Sequence, residues 1–447
     1  MTRIHKTLAL AALLAAAPAG ANPFELFGFT PRGLGLGGAM VGLADDLAGS
    51  FYNPAGMLGH TKSEFGLGFA YTGSSLHVNR AKPICADPPT AGCSKAANAD
   101  VESMPRFELG IIFPLGGLLK DRVVIGISGG HPVGSLIRVQ TVDQSRPQFY
   151  MYQSKPQRFA LNSGLGIKII EGLSIGVGLE VIAQQIGSVK FEVDVASRRF
   201  VARDIKVDLN TVATPMAGIL IEPTENLKIG FSFRKESQLY YAQPTDIDLG
   251  DIGKLTLDVA GIAQYWPHVI SGGVSWRPAF LGDKVLFTTQ LDYMIWKNAP
   301  RDQVQVVITP SGPVLKGLGL DTILGFGSAD VPPGFANILI PRIGVEWAAS
   351  SNVTVRAGAW ARPAVTPDQG GVTNYLDNFT ESLSAGATFK FIDPLKVFTD
   401  PVAFDIAAAV MIANERENKK SQAADVTGGA SYGGALFTAS AMLRYLY

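Results

Sequence analysis

The sequence predicts an all-β fold: a transmembrane antiparallel β-barrel of about 14 strands, closed around an N-terminal segment that plugs its lumen. Three observations predict it. From Glu64 onward, apolar residues recur at every second position through most of the chain. The connections between these alternating segments are short and long in turn. No run of about 18 apolar residues is present that could cross a bilayer as a helix, although the chain is 47% hydrophobic, with 50 glycines and a formal net charge of zero.

The chain begins with the pattern of an export signal. Arg3 and Lys6 give a basic start, and residues 8–17 are an apolar stretch too short to span a bilayer. Ala19-Gly20-Ala21 then offers a small-x-small cleavage site. Residues 1–21 are read as a cleaved signal peptide and Asn22 as the first mature residue. The alternative, a buried N-terminal helix, is opposed by Pro18 and Gly20, which break helices.

Residues 22–62 do not alternate and are read as the plug. Gly33, Gly35, Gly37, Gly38 and Gly42 follow in quick succession. A barrel of this size encloses more space than its own inward side chains fill, so a compact Gly-rich segment has a volume to occupy. Asn53-Pro54 reads as a turn, because proline fixes φ and keeps the preceding residue out of the helical region. Asp45 and Asp46 are acids that need cationic partners inside a barrel, and lumen arginines are the expected ones.

Residues 63–447 are read as the barrel. Strands are expected near 64–79, 105–115, 122–134, 156–170, 173–195, 203–222, 227–241, 253–276, 284–297, 335–350, 353–362, 379–392, 402–414 and 433–447. Each provides the roughly 9–11 residues that a tilted membrane strand requires. In residues 284–295, Val285, Phe287, Thr289, Leu291, Tyr293 and Ile295 alternate with Lys284, Leu286, Thr288, Gln290, Asp292 and Met294, so one face is mostly apolar and the other more polar. A soluble sandwich alternates in the same way. It has no reason to collect its long loops (80–104, 135–155, 298–334 and 415–432) on one end, whereas short periplasmic turns and long external loops are usual in membrane barrels.

The polar face carries Arg106, Glu108, Arg158, Lys168, Glu180, Arg234, Asp292, Arg342, Glu346, Arg356, Lys390, Asp405 and Arg444. On the lipid face such charges are costly, so they are placed in the lumen, where the two signs can pair. Tyr445 and Tyr447 share the apolar face with Phe437 and Leu443, as an interface girdle requires. The two cysteines, Cys85 and Cys93, are expected to form a disulfide in an external loop, since an exported chain with one close pair meets an oxidising compartment. Two thiolates alone do not close a zinc shell, so no metal is expected. The balanced charge gives no nucleic-acid footprint.

The plug also resembles a known family. Gly33-Leu34-Gly35-Leu36-Gly37-Gly38-Ala39 leads into Gly42-Leu43-Ala44-Asp45-Asp46, and then comes Phe51-Tyr52-Asn53-Pro54-Ala55-Gly56. This string resembles the N-terminal hatch of the FadL/TodX outer-membrane transporters, with its Ala-Asp-Asp and Asn-Pro-Ala elements. The resemblance implies a hatch gated around Asp45, Asp46, Asn53, Pro54 and Ala55. It also implies a kinked third strand that opens the wall toward the membrane, here at Gly129, Gly130, Pro132 and Gly134, where three glycines and a proline interrupt the alternation.

The resulting expectation is passive uptake of hydrophobic small molecules, long-chain fatty acids or similar, across a bacterial outer membrane. Capture falls to Leu318, Leu320, Ile323, Leu324, Phe326 and Phe335 in the loop at 315–335, and Phe24, Phe27 and Phe29 line an inner pocket. The expected surroundings are outer-membrane lipid and lipopolysaccharide, with the barrel-assembly machinery during biogenesis. The chain is expected to be a monomer without cofactor. Two other classes compete. An outer-membrane lipid hydrolase would use Gly-x-Ser-x-Gly, which occurs at Gly126–Gly130 and at Gly172–Gly176, but that motif needs a sharp strand-to-helix turn. A structural or adhesive barrel would have no use for a gated lumen.

Overall fold

The computed structural model describes residues 24–60, 62–85, 93–98, 101–134, 147–152, 159–194, 199–300, 304–327, 333–371, 373–393, 400–420 and 428–447. The expected signal peptide and Arg158 lie outside them.

Fourteen strands form the wall. They are β1 (Glu64–Cys85), β2 (Met104–Pro114), β3 (Val123–Pro132), β4 (Ala160–Ile170), β5 (Leu173–Asp194), β6 (Arg199–Thr224) and β7 (Leu227–Arg234). They continue with β8 (Val269–Trp276), β9 (Val285–Met294), β10 (Ile338–Ala348), β11 (Val353–Arg362), β12 (Thr380–Phe391), β13 (Val402–Asn418) and β14 (Ala430–Leu446). Each pairs antiparallel with the next, and β14 pairs with β1 from Glu64↔Leu446 to Arg80↔Ala430, which closes the sheet into a barrel. Closure matters physically: a sheet in lipid has nowhere to hide an edge.

The alternation is inverted relative to a soluble protein. In β9, Leu286, Thr288, Gln290 and Asp292 are buried while Phe287, Leu291 and Tyr293 are exposed. The greasy face therefore points outward, where the bilayer replaces water as its solvent. Above the barrel mouth, the strands Ser237–Asp248, Lys254–Trp266, Val304–Ser311 and Leu324–Gly327 form an outer sheet. Ser237–Asp248 joins it to the wall by pairing in parallel with β5, from Ala242↔Ile186 to Asp248↔Glu192. The expected long strands at 227–241 and 253–276 thus each divide at the mouth, at Lys235-Glu236 and Pro267-His268. The expected loop at 298–334 is partly strand and carries one short helix, Pro313–Gly317.

The N-terminal segment packs inside the wall. It consists of the short helices α1 (Phe24–Phe27), α2 (Thr30–Gly35) and α3 (Gly49–Tyr52), then a 3₁₀ turn at Pro54–Gly59. Inward-facing glycines of the wall admit it. A Cβ at Gly218 would lie 2.0 Å from Asn53 Oδ1, one at Gly230 2.0 Å from the Val41 carbonyl oxygen, and one at Gly358 2.2 Å from the Gly37 nitrogen. Much of the high glycine content thus sits where two backbones meet, which only a residue without a side chain permits.

Candidate functional site

An irregular segment inside a barrel must satisfy its backbone groups without a ladder of its own. Here the wall supplies the partners. Thr288 Oγ1 donates to the Ala39 carbonyl at 2.6 Å and Ser275 Oγ to that of Gly42 at 2.8 Å. Gln290 Oε1 accepts from the amides of Met40 and Val41, both at 2.9 Å. Arg106, Arg234 and Arg342 donate to the carbonyls of Gly28, Phe51 and Gly37. Ser50 and Ser128 meet at 2.6 Å and tie the plug to β3.

The hatch motif is fastened by side-chain hydrogen bonds. Asn53 is fully buried. Its Nδ2 donates to the carbonyls of Val41 at 2.9 Å and of Ile219 on β6 at 3.1 Å, and its Oδ1 accepts the Ala55 amide at 3.1 Å. One side chain therefore caps the Pro54–Gly59 turn and fastens it both to the plug and to the wall. The expected partners of Asp45 and Asp46 were lumen arginines; the observed partner belongs to the plug itself. Arg32 Nη1 donates to Asp45 Oδ1 at 2.6 Å and to Asp46 Oδ2 at 3.1 Å, while its Nε reaches Glu346 of β10 at 3.0 Å. Ala44, with φ +38, makes the left-handed turn just before the two acids. Burial raises the Asp45 pKa, but the charges of Arg32 and Lys228 with the Arg32 hydrogen bond together outweigh it, and the carboxyl titrates below its ordinary value. Asp46 is shifted the other way, chiefly by burial.

His60 closes the Pro54–Gly59 end of the plug. Its Nδ1 meets the Asp45 carbonyl at 2.9 Å and its Nε2 meets Glu64 Oε2 at 2.5 Å. Both nitrogens thus face acceptors, which favours the doubly protonated ring. Burial opposes that charge, yet Glu64 raises the His60 pKa above its ordinary value.

Small cavities lie inside among the described residues. One, about 40 Å³, is lined by Leu26, Phe27, Phe51, Arg234, Arg342 and Trp360 among others. The second, about 20 Å³, lies beside Tyr152, Trp266 and Trp296. Such volumes hold a few waters at most, so in this state neither admits a hydrocarbon chain. Phe27 lines the larger cavity. Phe29 does not: it is fully buried in the plug, edge-on to Phe51 at 5.9 Å. The side chain of Phe24 lies outside the described residues.

An aromatic cluster absent from the sequence reading lies toward the outer mouth. Tyr150 contacts Trp296, Phe335 and Tyr375, and Trp296 contacts Tyr265 and Trp266. Phe335 is buried within it and is therefore no part of an external capture surface. Of the other loop residues, Leu318 is 67% exposed and Ile323 63%, with Leu320 and Leu324 also exposed. The side chain of Phe326 lies outside the described residues. Cys85 and Cys93 face each other across an antiparallel hairpin, while their side chains also lie outside.

At two of the four positions expected to open, the third strand keeps both neighbours. Gly129 and Gly130 are paired on both sides, with Leu109 and Glu108 of β2 and with Leu161 and Ala160 of β4. The ladder tolerates glycine here because its bonds are made by backbone alone. Pro132 is still paired with Arg106, and Gly134, at φ +93, lies beyond the strand. Both Gly-x-Ser-x-Gly matches lie on the wall, with Ser128 and Ser174 buried within β3 and β5, so neither sits on a strand-to-helix turn.

A closed wall with a greasy exterior, and a lumen filled by its own N-terminal segment, define a plugged membrane β-barrel. The chain is similar to several proteins of this class. It is 22% identical over 421 residues to the alkane uptake protein A of Marinobacter nauticus, spanning 88% of this chain and 84% of that protein. Among solved structures it matches a Pseudomonas aeruginosa FadL homologue at a TM-score of 0.59 and 14% identity, covering 96% of this chain and 99% of the other. It matches the Pseudomonas putida toluene transporter TodX at 0.59 and 12%, covering 94% and 99%. No family sequence model matches. The chain shares the fold of these FadL-like outer-membrane barrels.

Proposed function

We propose that this protein is a passive channel for uptake of hydrophobic small molecules across the outer membrane. The observation that carries the reading is the pairing of a lumen filled by the N-terminal segment with exposed Leu318, Leu320, Ile323 and Leu324 beside the outer sheet. Apolar side chains on a soluble loop lose favourable burial unless something apolar lands on them. A plug held by side-chain hydrogen bonds to the wall can exchange those bonds as cargo passes. Cargo captured outside passes the aromatic cluster, lodges against Phe27 and leaves past the hatch, whose fasteners are Arg32, Asp45, Asp46 and Asn53 with its neighbours Pro54 and Ala55. Relatives named for alkane uptake and toluene transport support a hydrocarbon as cargo.

The test compares cells with and without the protein for accumulation of radiolabelled hexadecane, toluene and palmitate. Accumulation of at least one above the deficient strain is expected. Equal accumulation of all three would end the uptake reading.

A further inference from the structure

Two turns at the same end of the barrel are built alike. One joins β2 to β3 over residues 115–122, the other β8 to β9 over residues 277–284. In the first, the amides of Leu119, Lys120 and Arg122 donate to the carbonyls of Gly116, Gly117 and Leu119 at 3.4, 3.2 and 3.0 Å. In the second, those of Leu281, Gly282 and Lys284 donate to Pro278, Ala279 and Leu281 at 3.0, 2.9 and 3.5 Å. Each turn thus makes one short 3₁₀ helix, Gly117–Leu119 or Ala279–Leu281. Each then passes through an aspartate with a left-handed backbone, Asp121 at φ +59 or Asp283 at φ +56, a conformation that aspartate tolerates better than most residues. A basic residue follows in both, Arg122 or Lys284.

The two turns also present the same chemistry. Leu118 is 99% exposed with exposed Leu119 beside it, and Phe280 is 78% exposed with exposed Leu281 beside it. A Cβ at Gly116, Gly117 or Gly282 would meet nothing, so the turns stand clear of the rest of the protein. Joining two strands does not require such a structure: at the same end, Glu171-Gly172 links β4 to β5 with two residues. Lys120, Arg122 and Lys284 are exposed, and among the described residues none of them has a carboxylate partner.

The lipid-facing wall runs directly into the second turn. Phe280 packs edge-on against Trp276, with ring centres 6.2 Å apart, and Trp276 lies 6.3 Å from Phe287. Trp276 and Phe287 are exposed on the greasy outer face of β8 and β9. Around the closed barrel the two turns are six strands apart on one side and eight on the other, so they stand nearly opposite each other on the rim. A soluble partner would have to reach across the barrel to use both, whereas a bilayer surrounds the rim and meets both at once. An apolar tip backed by cations one to four residues away matches the layering of a phospholipid leaflet, acyl chains next to phosphates.

We propose that the two turns are a pair of membrane anchors. Leu118 with Leu119 and Phe280 with Leu281 dip into the acyl boundary of the leaflet at this end, while Lys120, Arg122 and Lys284 hold the phosphates of its headgroups. The occupant is a glycerophospholipid of the bilayer. Anchored on opposite sides, the barrel is held at one depth and kept from tilting.

Leu118→Cys and Phe280→Cys, each carrying a nitroxide, test the immersion in vesicles of phosphatidylethanolamine and phosphatidylglycerol. Glu225→Cys, in the exposed turn between β6 and β7, is the water reference. Oxygen concentrates in lipid and a nickel chelate in water. Labels at 118 and 280 should relax chiefly with oxygen, and the label at 225 with nickel. All must migrate as heat-modifiable, assembled barrels; Leu119→Cys and Leu281→Cys replace either variant that does not. Nickel-dominated relaxation at both turns, as at 225, would overturn the proposal and turn these tips toward a water-borne partner. The phosphate contact is read by titrating detergent-solubilised barrels with fluorescent phosphatidylglycerol. Arg122→Gln and Lys284→Gln should each weaken binding about fivefold, and millimolar inorganic phosphate should not displace the lipid. Unchanged affinity in both variants, or displacement by free phosphate, would overturn the headgroup contact.

Discussion

Asn53→Ala tests the fastening of the hatch most directly. The substitution removes the bonds to the Val41 and Ile219 carbonyls and the one accepted from Ala55. Each is worth about 1 kcal/mol net, so the closed hatch loses about 3 kcal/mol, which is roughly a hundredfold in the population of locally opened molecules. The loss is local, because the fourteen wall strands keep all of their ladders. Hydrogen–deuterium exchange of the amides of residues 53–57, measured on the assembled barrel in detergent, should accelerate by about that factor. Gly218→Ala should act through the same bond network, since its new Cβ would fall 2.0 Å from Asn53 Oδ1 and must displace that side chain. If assembled Asn53→Ala barrels exchange these amides at the wild-type rate, the side chain is not a fastener and the reasoning from its three bonds is wrong.

Arg32→Ala leaves Asp45, Asp46 and Glu346 without the shared cation. Removing one partner of such a buried network costs about 3–5 kcal/mol, visible as protease sensitivity of the hatch in a barrel that still assembles. His60, whose folded pKa is raised, contributes its stability in full below the ordinary histidine value of about 6.5 and loses it as pH climbs through the raised value. Hatch amide exchange corrected for intrinsic rates should therefore quicken across that window, and His60→Gln should abolish the pH dependence. Leu318→Ser/Leu320→Ser should weaken capture of radiolabelled hexadecane by whole cells while leaving heat-modifiable migration unchanged; undiminished capture would remove the outer loop from the path. Cys85 and Cys93 should resist alkylation in intact protein and react only after reduction, because their backbones already pair across the hairpin.

The sequence by itself determined the class. Period-two alternation requires a sheet whose two faces differ, and with no helix able to span, a closed barrel is the structure that lets such a sheet meet lipid. The glycine-rich string from Gly33 to Gly56 marked the plug because it could not alternate. Only the tertiary structure decided who meets whom. Arg32 was as visible in the sequence as Asp45, but its bridge to Glu346 joins residues 314 positions apart, and no local pattern encodes that distance. Phe27 and Phe29 look alike on paper; the cavity takes one and the plug core takes the other. The glycines of the third strand are the sharpest case. Gly129 and Gly130 drew attention to β3, yet glycine keeps its amide and the ladder passes through both. Register is a property of paired strands, set when the whole barrel closes, so the same glycine carries no such meaning until its neighbours are known.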